Sequence, residues 1–364
     1  GLGDIGPLAS KPVMEGKGLL FKIFADIDVF DIEVDASDPE LFIQTVKAIS
    51  PTFGGINLED IKAPEAFEIE ERLKKELDIP IMHDDQHGTA IISSAALLNA
   101  LELTNKKIDE VKIVISGAGA SAMSCGKLYR SLGATPENMY MFDSKGLLCK
   151  ERKELEGNKA LFAVHEKDIS LEDAITGSDV FLGLSRGGLM SKEMVKSMAK
   201  NPIVFALANP DPEITYKDAM STRKDLIMAT GRSDHPNQVN NVLGFPYIFR
   251  GALDVRATTI NEEMKLAAVH AIASLAKESV PDEVSEAYGE KSITFGKEQI
   301  IPKPLDPRLI YYVAPAVAKA AMDSGVAKNP IHDWVKYEDE LKKRLGLDNK
   351  LVRTLTEKAE RNPK

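Results

Sequence analysis

The chain has 364 residues, 43% hydrophobic and 28% charged, which is enough apolar content for a sizeable core and too much for a disordered chain. Its 46 basic and 56 acidic side chains give a net charge of −10, which argues against nucleic acid and anionic membrane as partners. Cys125 and Cys149 are the only two cysteines, so a disulfide framework is excluded and a reducing, cytoplasmic setting is expected. No apolar run approaches the roughly 20 residues of a membrane span. At roughly 100–200 residues per domain, the length predicts two domains, or two with an appendage.

The chain opens GLGDIG, with no Met, no cationic stretch and no apolar stretch. It therefore reads as a fragment starting inside a glycine turn rather than as a signal peptide. Apolar positions from Val13 to Phe24 predict a helix packed on one side. The alternation VFDIEV predicts a strand over Val29–Val34, and Asp38-Pro39-Glu40 starts the next helix. A short strand over Gly54–Leu58 ends at Glu59-Asp60. A helix over Ala66–Leu77 then leads to a strand over Ile79–Met82 that ends at HDDQHGTA, residues 83–90. This alternation predicts a parallel sheet with functional residues at the strands' carboxyl ends.

Thr89–Leu103 reads as a long apolar helix and Asn105–Asp109 as a linker. Strands over Val111–Ser116, Met139–Phe142, Val180–Gly183 and Ile203–Leu207 then predict a nucleotide-binding half-sheet. Helices are expected over Glu262–Lys277, Pro307–Asp323 and Ile331–Arg344. There is no internal repeat.

The strongest motif is VKIVISGAGASA. Gly117 permits the tight turn, Gly119 lets backbone N–H groups approach a pyrophosphate, and small Ala122 takes the third glycine's place. The following helix turns its positive end toward the phosphates. Asp143 stands 24 residues beyond Gly119, where a ribose-binding carboxylate belongs. Glu59-Asp60 and Asp84-Asp85 each follow a strand. Parallel neighbours would bring these four carboxylates to one edge, a set of hard oxygens suited to Mg²⁺ or Mn²⁺. The same spacing also suits solvated loop ends, and spacing alone leaves both open. Lys11 and Lys17 flank PVMEG; either is a surface lysine, or a partly desolvated base of lowered pKa. Asn209 ends the last strand, and Asn237, Asn240 and Asn241 cluster in HPNQVNNVLGFP, either as turn residues or as ligand contacts.

Together GLGDIGPLASKPVMEGK, FGGINLEDI, IPIMHDDQHGTA, GAGASA with FDSKG, FALANPDPEI and HPNQVNNVLGFP resemble the small, bacterial-type malic enzymes, from residue 1 to about 325. The resemblance implies an α/β fold: a Rossmann-type doubly wound parallel sheet, an α/β substrate and metal domain, and C-terminal helices. It divides the chain into a catalytic and metal region (1–88), an NAD(P)-binding domain (89–250) and a helical region (251–364) that packs back on the first. It implies oxidative decarboxylation of L-malate to pyruvate and CO₂ with reduction of NAD(P)⁺. A malolactic conversion of malate to lactate and a non-catalytic nucleotide-binding module are the alternatives.

By motif, the resemblance makes Lys17 the general base, oriented by Asp84, and Glu59, Asp60 and Asp85 the ligands of Mg²⁺ or Mn²⁺. Asn209 and Asn241 would contact malate and the nicotinamide end. Gly117, Gly119, Ala120, Ala122 and Asp143 would bind the dinucleotide. Ser144 and Lys145 beside Asp143 point to NADP, with NAD as the weaker cofactor. The family's catalytic tyrosine falls amino-terminal to GLGDIG, outside this sequence. A homodimer or homotetramer is expected.

Overall fold

A computed structural model describes residues 6–289 and 292–345. The chain forms two compact units. One comprises residues 1–84, 241–275 and 304–364, the other residues 85–240 and 276–303. The chain passes between the units at 84/85, 240/241, 275/276 and 303/304. The second unit also takes back 276–303.

In the first unit, Pro7 starts α1 (Pro7–Ala25), where its missing N–H costs nothing. The helix stops at Asp26, which adopts the left-handed conformation. Residues 26–37 then carry no strand, which corrects the expected strand over Val29–Val34. Alternation supplies two faces but no hydrogen-bonding neighbour. Phe30 is 72% exposed, so neither face of this segment builds a core. α2 (Pro39–Ile49) begins as anticipated, with the Asp38 carboxylate accepting from the Glu40 N–H.

β1 (Ile56–Leu58), α3 (Glu65–Glu76) and β2 (Ile81–His83) follow. The two strands are parallel, with Ile56 opposite Ile81 and Leu58 opposite His83. Ile43 and Val46 of α2, Ile69 and Leu73 of α3, and Leu58 and Ile81 of the strands form one apolar cluster. The helices Phe245–Asp254, Glu262–Leu275 and Leu309–Asp323 belong to the same unit. Gly251 lets the first approach the last: a Cβ there would lie 2.4 Å from the Ala314 carbonyl oxygen. Phe21 of α1 meets Phe245 and Phe249 edge-on, with centroids 4.7 and 5.4 Å apart.

α4 (Asp84–Thr104) leaves β2 directly, so HDDQHGTA forms its first turns rather than a loop. The second unit holds a six-stranded sheet of β3 (Ile113–Ser116), β4 (Met139–Asp143), β5 (Gly146–Leu147), β6 (Val180–Gly183), β7 (Ile203–Ala206) and β8 (Ile227–Thr230). The strand order is β5-β4-β3-β6-β7-β8, all parallel except the short β5. The chain reverses its direction of travel across the sheet between β3 and β6, the switch point where doubly wound sheets hold ligands. α5 (Ala120–Ser131) follows the glycine turn. β8 is missing from the sequence reading, because a four-residue apolar run carries no period of its own. Asn105–Asp109 is no linker: it lies inside the second unit, tied down by Lys106 Nζ to Asp179 at 2.6 Å. Among the described residues no helix is long and apolar enough to cross a membrane.

Candidate active site

The first unit concentrates charge around one lysine. Lys17 and Phe21 lie one turn apart on α1 and so share a face. Docking Phe21 on Phe245 and Phe249 therefore aims Lys17 the same way, with its Nζ 4.3 Å from the centre of the Phe245 ring. Nζ donates to Asp84 Oδ2 at 2.5 Å and pairs with Glu59 Oε1 at 3.2 Å. Both carboxylates are shielded, Asp84 completely and Glu59 to 4% side-chain exposure. Asn241 Nδ2 donates to the same Asp84 oxygen at 3.1 Å, and Asn57 Nδ2 to Glu59 Oε2 at 3.0 Å. Asp84 Oδ1 is buried with no hydrogen-bond partner among the described residues.

The two carboxylates act against the lowered pKa that a partly desolvated lysine held near a cation would have. Burial alone would lower the Lys17 pKa, but Asp84 and then Glu59 outweigh it and hold the ammonium well above the ordinary lysine range. Lys11 lies half exposed against Asp31 and Glu33, away from this cluster.

The strand register explains the acidic edge. Leu58 faces His83, so Glu59-Asp60 and Asp84-Asp85 leave the same end of the β1–β2 pair side by side. Asp60 adopts a left-handed backbone, φ 53°, a conformation that aspartate tolerates better than most residues. Asp85 is the next residue of α4 and opens the second unit. His83 is fully buried, and its N–H donates to Glu70 at 3.0 Å, which anchors the strand end from below.

In the second unit, Gly117 has φ +124°, and a Cβ on it would lie 2.6 Å from the Leu184 carbonyl oxygen, so both reasons for glycine apply. Gly119 caps α5 with open space where its Cβ would be, room for a ligand to reach the helix end. Ala120 starts the helix and Ala122 is buried. Gly126 also lets α5 pack closely, since a Cβ there would lie 2.6 Å from the Phe162 ring.

Asp143 ends β4, but its carboxylate is already engaged. Arg152 grips both oxygens, at 2.7 and 3.0 Å, Lys159 adds a contact at 3.0 Å, and the Lys145 N–H caps it at 2.9 Å. Burial pushes its pKa up, but the Arg152 and Lys159 hydrogen bonds outweigh that and hold it far below the usual carboxylate range. Arg152 and Lys159 are absent from the sequence reading, since nothing in RKELEGNK marks them apart from other surface cations. The Ser144 and Lys145 side chains are exposed beside them. Asn209 stands exposed on the loop after β7 in the second unit, whereas Asn241 belongs to the first. Asn237 serves the fold: it bonds the backbone of Met228, Lys297 and Ile300.

A glycine turn at the head of a doubly wound parallel sheet in one unit, with buried carboxylates around one lysine in the other, defines a dinucleotide-binding α/β protein. Residues 86–288 match the family described as malic enzyme, NAD binding domain, and residues 1–74 match malic enzyme, N-terminal domain. The chain is 56% identical, over its whole length, to 48% of an NADP-dependent malic enzyme of Salmonella typhimurium. It is 58% identical over 91% of its length to 78% of an NADP-dependent malic enzyme of Halomonas elongata. It is 57% identical over 94% of its length to 44% of an NAD-dependent malic enzyme of Rhizobium meliloti. The solved malic enzyme of Pyrococcus horikoshii superposes with a TM-score of 0.87 at 40% identity, covering 98% of this chain and 81% of that one. The chain belongs to the malic enzyme family. It spans about half the length of the Salmonella and Rhizobium relatives.

Proposed function

We propose that this chain carries the oxidative decarboxylation of L-malate to pyruvate and CO₂ with reduction of NAD(P)⁺, with Lys17 as the base. The observation that carries this reading is the buried Lys17–Asp84–Glu59 cluster in a chain of this family. Lys17 Nζ, once it has given up the proton that Asp84 and Glu59 otherwise hold on it, takes the C2 hydroxyl proton while hydride leaves C2 for the nicotinamide. Asp84 fixes Nζ, and Asn241 fixes Asp84. The 2-oxo acid formed carries its other carboxylate β to the ketone. Loss of CO₂ leaves an enolate, and protonation at C3 yields pyruvate.

Glu59, Asp60 and Asp85 would hold a divalent cation. The fit rests on an all-oxygen donor set, on the shared strand ends, and on Asp84 Oδ1, buried without a partner beside them. Mg²⁺ or Mn²⁺ bound there would supply Lewis-acid stabilisation of charge on malate's C2 oxygen and a counter-charge to the carboxylates that hold Lys17 protonated.

NADP is the favoured cofactor and NAD the weaker one. The Arg152 and Lys159 side chains pair with Asp143, which the Lys145 backbone N–H also caps, and Arg152 pairs with Glu154 as well; the Lys145 side chain is exposed on the same turn, so cations stand where a 2′-phosphate would lie. Lys145 was expected to decide this preference from its place in DSKG; Arg152 and Lys159 now share the role. The reading also keeps a cytoplasmic setting, with Cys125 and Cys149 as buried free thiols, and a homodimer or homotetramer, to be read by light scattering.

The test is turnover of L-malate with Mn²⁺ and either cofactor by a protein that carries this chain together with the amino-terminal segment to which the resemblance assigns the tyrosine, scoring both pyruvate and reduced cofactor. Stoichiometric formation of the two is the expected result, and no turnover with intact cofactor binding would overturn it. A second reading comes from a bifunctional malic/malolactic enzyme of Bacillus subtilis, 53% identical over 90% of this chain. Lactate without net reduced cofactor would establish that alternative.

A further inference from the structure

Glu213 is fully buried on the short loop after β7, and among the described residues no lysine or arginine pairs with it. A carboxylate in that position is costly unless donors face it. Two do, and they come from different strands: the Ser185 N–H after β6 reaches Oε1 at 3.1 Å, and the Ala208 N–H after β7 reaches Oε2 at 3.2 Å. Gly183, the last residue of β6, makes the room. A Cβ there would lie 2.2 Å from the Glu213 carboxyl carbon. The same β6 loop is tied to the glycine turn, because the Leu184 N–H bonds the Ser116 carbonyl and the Ser185 and Ser116 hydroxyls lie 2.8 Å apart. One buried carboxylate thus joins the carboxyl ends of β6 and β7, on the β6 side of the switch point and immediately before exposed Asn209.

We propose that Glu213 is a positioning residue, locking the loops after β6 and β7 so that Asn209 and Ser185 hold the spacing required by the nicotinamide end of a bound dinucleotide. The proposal rests on the dinucleotide reading above. Neither single-loop packing nor simple core filling needs an acid here, since an apolar side chain would fill the space without leaving two loops joined. Glutamine has the same shape but presents an NH₂ to one of the two N–H donors, so it breaks one arm of the bridge and preserves the volume.

The experiment measures dissociation constants of the full chain for NADP⁺, NAD⁺ and ADP-ribose, the last lacking the nicotinamide. In Glu213→Gln the constants for both dinucleotides should rise by about 10-fold, the scale of a lost hydrogen bond to a buried charge, while ADP-ribose binding stays unchanged. Glu213→Asp retains the charge but is too short to span both loops, and it should show the same split. Equal weakening of all three ligands, or no weakening of any, overturns the proposal and leaves Glu213 as a structural acid. Failure of the wild-type chain to bind any of the three would instead refute the dinucleotide reading itself.

Discussion

Lys17 and Asp84 lie 67 positions apart in sequence, yet Nζ and Oδ2 are 2.5 Å apart and mostly shielded from water. The contact depends on two separate events. Phe21 docks α1 on the Phe245–Asp254 helix, and the β1–β2 register carries Asp84 past the end of its strand. Removing a partner from a buried pair leaves an uncompensated charge, so changes here act on stability as well as chemistry.

Lys17→Ala should lower kcat for malate oxidation by at least about 10²-fold, the scale of a lost general base. Decarboxylation of added oxaloacetate should suffer less, because it needs no hydroxyl proton removed. Steady-state rates for the two substrates check this; equal losses would place Lys17 outside the oxidation step.

Asp85→Ala should abolish turnover with Mn²⁺ while leaving cofactor affinity within about twofold, since the carboxylate is assigned to the cation alone. A metal-free readout accompanies it. Mn²⁺ should raise the Tm of the wild-type chain by mass action and leave that of the variant unmoved. A shift of equal size in both would remove Asp85 from the site.

The Asp143 pairing makes a pH prediction. Its pKa is depressed in the folded chain, so the stabilisation is fully present above the unfolded carboxylate value, about 3.9, and is lost as pH falls below it. Arg152→Ala should flatten the acid limb of a denaturation curve below about pH 4 relative to wild type. An unchanged acid limb would mean that the guanidinium does not control Asp143.

The same cations bear on cofactor choice. Lys159→Ala should reduce kcat/KM with NADP by about 10-fold more than with NAD, as loss of one charged phosphate contact implies. Lys145→Ala, exposed on the neighbouring turn, should show a smaller effect in the same direction. If neither variant alters the ratio, the preference is set elsewhere.

Gly251→Ala tests the packing under the site. The added methyl would meet the Ala314 carbonyl, a backbone atom that has no rotamer to change. Overpacking of this kind costs about 1–3 kcal/mol. Tm should fall while the KM values for malate and cofactor stay near wild type, and a KM change without loss of Tm would contradict the assignment.

The sequence by itself determined the pieces with a local cause. Asp38 caps α2 because its side chain reaches the next turn's N–H, and Gly117 is glycine because its backbone turns left-handed. The run VKIVIS forms a buried strand because it is apolar and β-branched. The helices over 262–275 and 309–323 were legible from apolar content. What lay beyond reach depended on partners distant in the chain. Residues 29–34 carry a strand pattern but no strand, because pairing needs a neighbour that a pattern cannot supply. Lys11 and Lys17 look alike on either side of PVMEG, and only the packing of α1 decides which meets Asp84 and Glu59. Glu59 and Asp84 also raise the Lys17 pKa, a contribution the motif alone does not show, since a pKa reflects every charge around a group. Asp143 was correctly placed at a strand end, but its occupation by Arg152 and Lys159 required a loop to fold back. Local propensity is written into neighbouring residues, whereas electrostatic environment is a sum over residues that only the folded chain brings together.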